Sequence, residues 1–329
     1  MRPIRLARLL AVLVCLAQAG FVRAQYSNIQ MPNMGSMGGL PSGGLAGAKQ
    51  ARTSALDPGI AVSQTFAGFI DSAVPRNRTG VRFEAAYNNR QPMRAEYLFA
   101  KGGLPNTVGF PLPETRVDYQ ELTSFTEYSW TPWFSVFIEA PYRWVNPEIN
   151  DNHSGAGDMR YGLKLCTYSA DRTIATVLLR LYSPSTRHQT LGTSHWSIEP
   201  GILMAYQFNR MLHFEGEFRY WMPLGGSDFQ GNILRYGAAI SYGQRRPGLW
   251  FTPVLEGIGW SVLSGKTMIA TSAEHFEIQE ARGQTIANGC LGLRCGYGAK
   301  LDMYAGYGRS FTGQFWQREI YRVELRYSY

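Results

Sequence analysis

Beyond its first two dozen residues this sequence lacks any continuous apolar run long enough to cross a bilayer as a helix, and it is poor in cysteine and in clustered charge. Charged residues make up 17% of the 329, with 32 Lys/Arg against 24 Asp/Glu. The excess is concentrated at the start, where Arg2, Arg5, Arg8 and Arg23 stand without an acid. No Lys/Arg run follows, so a nucleic-acid partner has no basic surface to engage. Of the four cysteines, Cys15 lies in the leader, and Cys166, Cys290 and Cys295 form an odd set that cannot be a disulfide framework. Cys290 and Cys295 fall on opposite faces of one strand and read as packing residues. There is no GxxxxGK[ST] loop and no His/Cys/carboxylate group at metal-ligand spacing, so no cofactor is expected. His275 and Glu277 form an H-x-E without the Pro-Cys-x-x-Cys of a zinc deaminase. His195, Ser197 and Glu199 share a strand face, but no acid completes a triad, so no enzyme is expected.

What is present divides the chain in three. Residues 1–24 carry a basic start, an apolar run from Leu9 to Val22 and a small residue, Ala24, before a cleavage point, the layout of a secretory signal peptide. Residues 25–78 begin with a Gly/Met/Ser-rich tract that cannot bury enough apolar surface to fold alone. Met31, Met34 and Met37 repeat with a spacing that suits Cu(I), although a flexible tether is the plainer account. The apolar stretch Ala61–Ile70 ends this extension. Its plain reading is a disordered periplasmic segment leading into the first strand; the alternative is that residues 61–78 pack into or across the mouth of the folded domain as a plug. The remainder, 79–329, belongs to a chain that is 45% hydrophobic and 13% aromatic, and it folds.

From Gly80 onward the hydrophobic period is two. Tyr321, Val323, Leu325, Tyr327 and Tyr329 alternate with Arg322, Glu324, Arg326 and Ser328, and Leu212, Phe214, Phe218 and Tyr220 alternate with His213, Glu215, Glu217 and Arg219. The same pattern predicts twelve strands, near 80–89, 118–130, 132–145, 155–168, 174–184, 193–208, 211–223, 231–243, 248–262, 284–297, 299–309 and 317–329. Ala95–Lys101 is a further candidate. Short links such as Asn209-Arg210 alternate with the long stretches 146–154, 185–192 and 263–283, as in an up-and-down meander through a membrane. Aromatic residues edge the apolar face (Tyr142 and Trp144, Tyr206 and Phe208), and small residues such as Gly162, Gly237, Gly292 and Gly306 dot the other, which suits a crowded interior. The fold expected is therefore all-β: a transmembrane antiparallel up-and-down β-barrel of about twelve strands with a disordered N-terminal extension, its outer face on lipid. In this phase the lumen receives Glu139, Arg143, Asp158, Arg160, Lys164, Arg180, His213, Glu215, Glu217, Arg219, Arg235, Glu256, Arg294, Arg322, Glu324 and Arg326, together with Lys300 and Arg318. Opposite charges crowded in a poorly hydrated space should pair.

Signal peptide, amphipathic strands and a final strand ending on Tyr329 together resemble a Gram-negative outer-membrane protein, which implies an outer-membrane location and the barrel-assembly machinery as a partner. More narrowly, FTEYSWTPWFSVFIEAPYRWV followed by SGAGDMRYGLKL (Ser154–Leu165) resembles the outer-membrane transporters of the phenol-degradation MetA-pathway family. There a strand ending in Pro-Tyr, here Pro141-Tyr142, precedes a Gly-x-Gly-Asp, here Gly155, Gly157 and Asp158. The match covers about residues 120–245. It implies a channel or transporter for a small, hydrophobic or aromatic organic solute. The competing reading is a closed barrel with a structural or surface-interaction role; an outer-membrane lipid hydrolase is a third.

Overall fold

The computed structural model describes residues 62, 64–89, 110, 112, 114, 116–186, 188, 190–226, 229–270, 276–313 and 316–329. The leader, the Gly/Met tract and the candidate strand Ala95–Lys101 lie outside the described residues. In chain order the strands are β1 (Arg78–Asn89), β2 (Val117–Thr131), β3 (Phe134–Pro147), β4 (His153–Ala156), β5 (Arg160–Ala170), β6 (Thr173–Tyr182), β7 (Trp196–Gln207), β8 (Leu212–Leu224), β9 (Ile233–Tyr242), β10 (Leu249–Val262), β11 (Lys266–Ala270), β12 (Phe276–Glu280), β13 (Thr285–Tyr297), β14 (Leu301–Ser310) and β15 (Glu319–Ser328). There is no helix among the described residues.

Twelve of these strands, all but β4, β11 and β12, form one antiparallel barrel in which each pairs with its neighbours along the chain. The ring closes where β1 meets β15, in register from Arg78 opposite Ser328 to Tyr87 opposite Glu319. A closed sheet leaves no strand edge unpaired, which is what a lipid environment demands of the backbone. The three extra strands fall where long polar stretches were expected. β4 pairs with the end of β3, and β11 and β12 form a separate hairpin. The segment 155–168, expected as one strand, is broken at Gly157–Met159 between β4 and β5.

Period-two patterning places the faces. Phe218, Ile240, Tyr242, Leu255, Leu291, Tyr321 and Leu325 are exposed on the outer wall, as are the edging aromatics Tyr142, Trp144, Tyr206 and Phe208. Neighbours one residue along, Glu217, Ala239, Ser241, Glu256, Cys290 and Glu324, are buried inside. An apolar exterior around a charged interior is the inverse of a soluble barrel and belongs in a bilayer. Short connections join β2–β3, β5–β6, β7–β8, β9–β10 and β13–β14 at one rim, and the long loops lie at the other. The first residue of β1 and the last of β15 are both at the short-turn rim.

Inside, Tyr304 shows why small residues sit on the inner face. Its ring lies across Gly292 and Gly306, where an added Cβ would stand 2.2 Å and 2.4 Å from the phenol oxygen. The tyrosine is fully buried, and its hydroxyl donates to Glu256 Oε1 at 2.6 Å.

Candidate functional site

Strand register brings lumen charges face to face. Glu121 lies opposite Arg143, Glu139 opposite Arg160, Arg180 opposite Glu199, Glu84 opposite Arg322 and Asp302 opposite Arg326. Directly opposed pairs of unlike sign stabilise neighbouring strands, and here they extend into networks. Glu121 meets Arg143 at 2.5 Å and Arg160 at 2.9 Å. Glu127 holds Arg78 at 2.7 Å and Lys164 at 3.0 Å and accepts from the Ser135 hydroxyl. Across the lumen, Asp302 meets Arg294 at 2.6 Å, Arg326 at 2.8 Å and Arg245 at 3.1 Å, while Arg294 also reaches Glu324 at 3.0 Å. Glu217 pairs with Arg235 and Arg219.

Not every expected lumen group joins this network. Asp158 sits in the long-loop rim, where its carboxylate accepts from the Thr193 N–H at 2.7 Å and the Thr193 hydroxyl at 2.9 Å, pinning the β6–β7 loop instead of meeting a cation. His213 donates through Nε2 to Gly243 O at 3.0 Å. Lys300 and Arg318 are exposed at strand ends, outside the lumen, because each lies one residue before its strand begins. His195 is held by the Thr193 carbonyl at 2.7 Å, and it does not hydrogen-bond Ser197.

The lumen contains a second element, which strand patterning does not place: residues 64–77 lie inside the barrel. The Gln64 amide oxygen accepts from Arg245 N in the β9–β10 turn, and Asn77 accepts from Ser129 N near the end of β2, so both ends of this inserted loop are at the short-turn rim. The hydroxyls of Thr65 and Ser72, 3.0 Å apart, close its neck. Phe66, Phe69, Ile70, Ala73 and Val74 are buried. Wall side chains take up its main chain. Glu215 accepts the N–H groups of Phe66 and Ala67, Glu256 those of Gly68 and Phe69, and Glu217 that of Asp71. Arg294 donates to the carbonyls of Phe66 and Ala67, Arg322 to that of Gly68 and Arg235 to that of Phe69. Asp71 is itself gripped by Arg219 at 2.9 Å and Arg180 at 3.0 Å.

At its deepest point the inserted loop stops short of the long-loop rim. Beyond Phe69 lies a small cavity of about 40 Å³ bounded by Tyr119, Trp260, Trp316, Arg235 and Arg322. The sequence signal for this arrangement is the apolar stretch Ala61–Ile70, too apolar for a solvated tether.

No protein-family profile matches the chain, and no curated protein sequence matches it either. Among solved structures it is similar to an outer membrane channel, COG4313, from Pseudomonas putida, at 15% identity and a TM-score of 0.49 over 80% of this chain and 98% of that one. It is similar to the NanC porin at 11% identity and a TM-score of 0.47, over 76% of this chain and 100% of that one. LpxR from Salmonella typhimurium matches at 11% identity and 0.41, over 76% and 100%. At such values these likenesses bear on neither solute nor activity, and the barrel rests on its own strand pairing.

Proposed function

We propose that this protein is an outer-membrane channel for a small organic solute, closed at its periplasmic end by its own residues 64–77. The observation that carries this reading is the polar grip on the inserted loop. Its main chain is held by wall side chains and by no strand pairing, and both its ends lie at one rim, so it can leave the bore without breaking the barrel even though Phe66, Phe69 and Ile70 are buried. The small cavity beyond Phe69 is walled by Tyr119, Trp260 and Trp316, aromatic surface that suits an organic molecule once the inserted loop is withdrawn. The resemblance of residues 120–245 to the phenol-degradation transporters supports a hydrophobic or aromatic solute. The leader at residues 1–24 and the tract from Gln25 fit export and a periplasmic tether.

Single-channel recording in planar bilayers tests the reading. Deleting residues 25–77, with the leader kept and β1 intact, raises conductance or solute uptake while the barrel remains resistant to SDS at room temperature. Unchanged conductance in a folded deletion variant eliminates the closure, and a barrel that conducts in neither form returns the protein to a structural or surface role.

A further inference from the structure

Between Phe66 and Phe69 four consecutive residues have every main-chain polar group satisfied by side chains of the wall. The N–H groups of Phe66 and Ala67 converge on one oxygen of Glu215 at 2.6 and 2.9 Å, and those of Gly68 and Phe69 divide between the two oxygens of Glu256 at 3.0 and 2.8 Å. The carbonyls of Phe66 and Ala67 accept from Arg294 at 2.7 and 2.8 Å, that of Phe69 from Arg235 at 2.8 Å, and that of Gly68 from Arg322. Charge-assisted bonds of this kind are the stronger class. Whereas Glu217, Asp302 and Glu324 meet arginines, Glu215 and Glu256 meet these N–H groups. A buried carboxylate without such donors is costly, so the wall at this height is built for a peptide main chain.

Side-chain sockets add selectivity. Phe66 packs edge-on to His213 and Trp250, with ring centroids 5.0 and 5.9 Å away. Phe69 stands edge-on to Tyr304, under the Arg322 guanidinium at 4.2 Å. Between them Gly68 faces the Tyr304 ring, and a Cβ there would lie 2.1 Å from a ring carbon. Tyr304 has little room to retreat, because Gly292 and Gly306 already accommodate it and Glu256 holds its hydroxyl. The pattern accepted is aromatic, small, glycine, aromatic.

We propose that this wall is a peptide-recognition site, filled by Phe66–Phe69 in the closed protein, which binds a separate peptide of the same pattern once that segment is withdrawn. It rests on residues 64–77 being a removable closure, so binding is measured apart from conductance. The probe is a fluorescein-labelled peptide with the sequence of residues 62–78, read by fluorescence anisotropy. The receptor is the full-length protein carrying Gly68→Val, which drives the loop against Tyr304 and empties the site. The variant lacking residues 25–77 empties it by deletion and serves if the valine prevents folding, which heat-modifiable gel migration reports.

The expected result is saturable binding to the emptied receptor and at least tenfold weaker binding to the wild type, whose own segment competes at high effective concentration. Placing valine at the Gly68 position of the peptide, or adding Glu256→Gln to the receptor, lowers affinity at least tenfold. Absence of saturable binding to a folded, emptied receptor overturns the site, as does equal binding of a scrambled peptide. Raised conductance without peptide binding removes the site and keeps the closure; peptide binding without any change in conductance does the reverse.

Discussion

Adjacent alanines in the middle of β9 provide a direct test of which face meets lipid. Ala238 is exposed on the outer wall and Ala239 is buried within. An arginine at the bilayer midplane on the lipid face costs about 2–4 kcal/mol. At about 1.4 kcal/mol per tenfold, Ala238→Arg lowers the folding equilibrium constant by more than an order of magnitude. Register places Ala239 opposite Glu215 on β8 and Glu256 on β10, so an arginine there arrives between two carboxylates. It gains ion pairs and takes its room from the inserted loop, leaving the wall intact. Ala239→Arg therefore assembles with a smaller loss while residues 64–77 become cleavable by protease. Equilibrium denaturant titration into lipid vesicles, followed by tryptophan fluorescence and gel mobility, gives the first quantity, and limited proteolysis the second. Equal losses from the two substitutions, or a greater one from Ala239→Arg, would refute the assignment of faces.

Three further outcomes follow from the contacts. Asp302→Ala takes an acid from Arg294, Arg326 and Arg245 and leaves the first two only Glu324, and removing one member of a buried ionic group costs about 3–5 kcal/mol, seen as a lower temperature of gel-mobility conversion. Glu114→Ala releases the N–H groups of Glu148, Ile149 and Asn150, so exchange at these amides accelerates while the barrel's denaturation midpoint stays put. Burial, and then His153 with its ring centroid 4.3 Å away, hold the His188 imidazole below its ordinary value. The neutral form therefore favours the folded loop, and this contribution is lost as pH falls below about 6.5. Protection factors for residues 183–195 should drop through that window and should not drop in His153→Ala.

Much of the wall was legible because alternation with a period of two fixes a side chain's face whatever the distant partners are. Tyr321 to Tyr329 and Leu212 to Trp221 fall on the faces their spacing predicted. Which cation meets which carboxylate was not legible, since the Glu121–Arg143 and Asp302–Arg326 contacts depend on the stagger between strands, which the turns set. Asp158 shows a further limit. It sits just past β4, where the strand pattern breaks, and a loop carboxylate can bond to backbone N–H groups as readily as to an arginine. The inserted loop carries no periodicity. Phe66 and Phe69 are apolar enough to suggest burial, but their partners Glu215, Glu256 and Arg294 come from three different strands more than a hundred residues away.

Gln64 and Asn77 leave the lumen through the same rim, and this has a topological consequence. A bight of chain hung into a ring from one side is not linked with that ring. The loop can be drawn out with no strand unpaired and no opening of the seam between β1 and β15. Equally, the cylinder can close around an empty bore and receive the bight afterwards, so the order of assembly is not dictated by threading. A pull on the described loop acts at the short-turn rim, where Gln64 and Asn77 both lie.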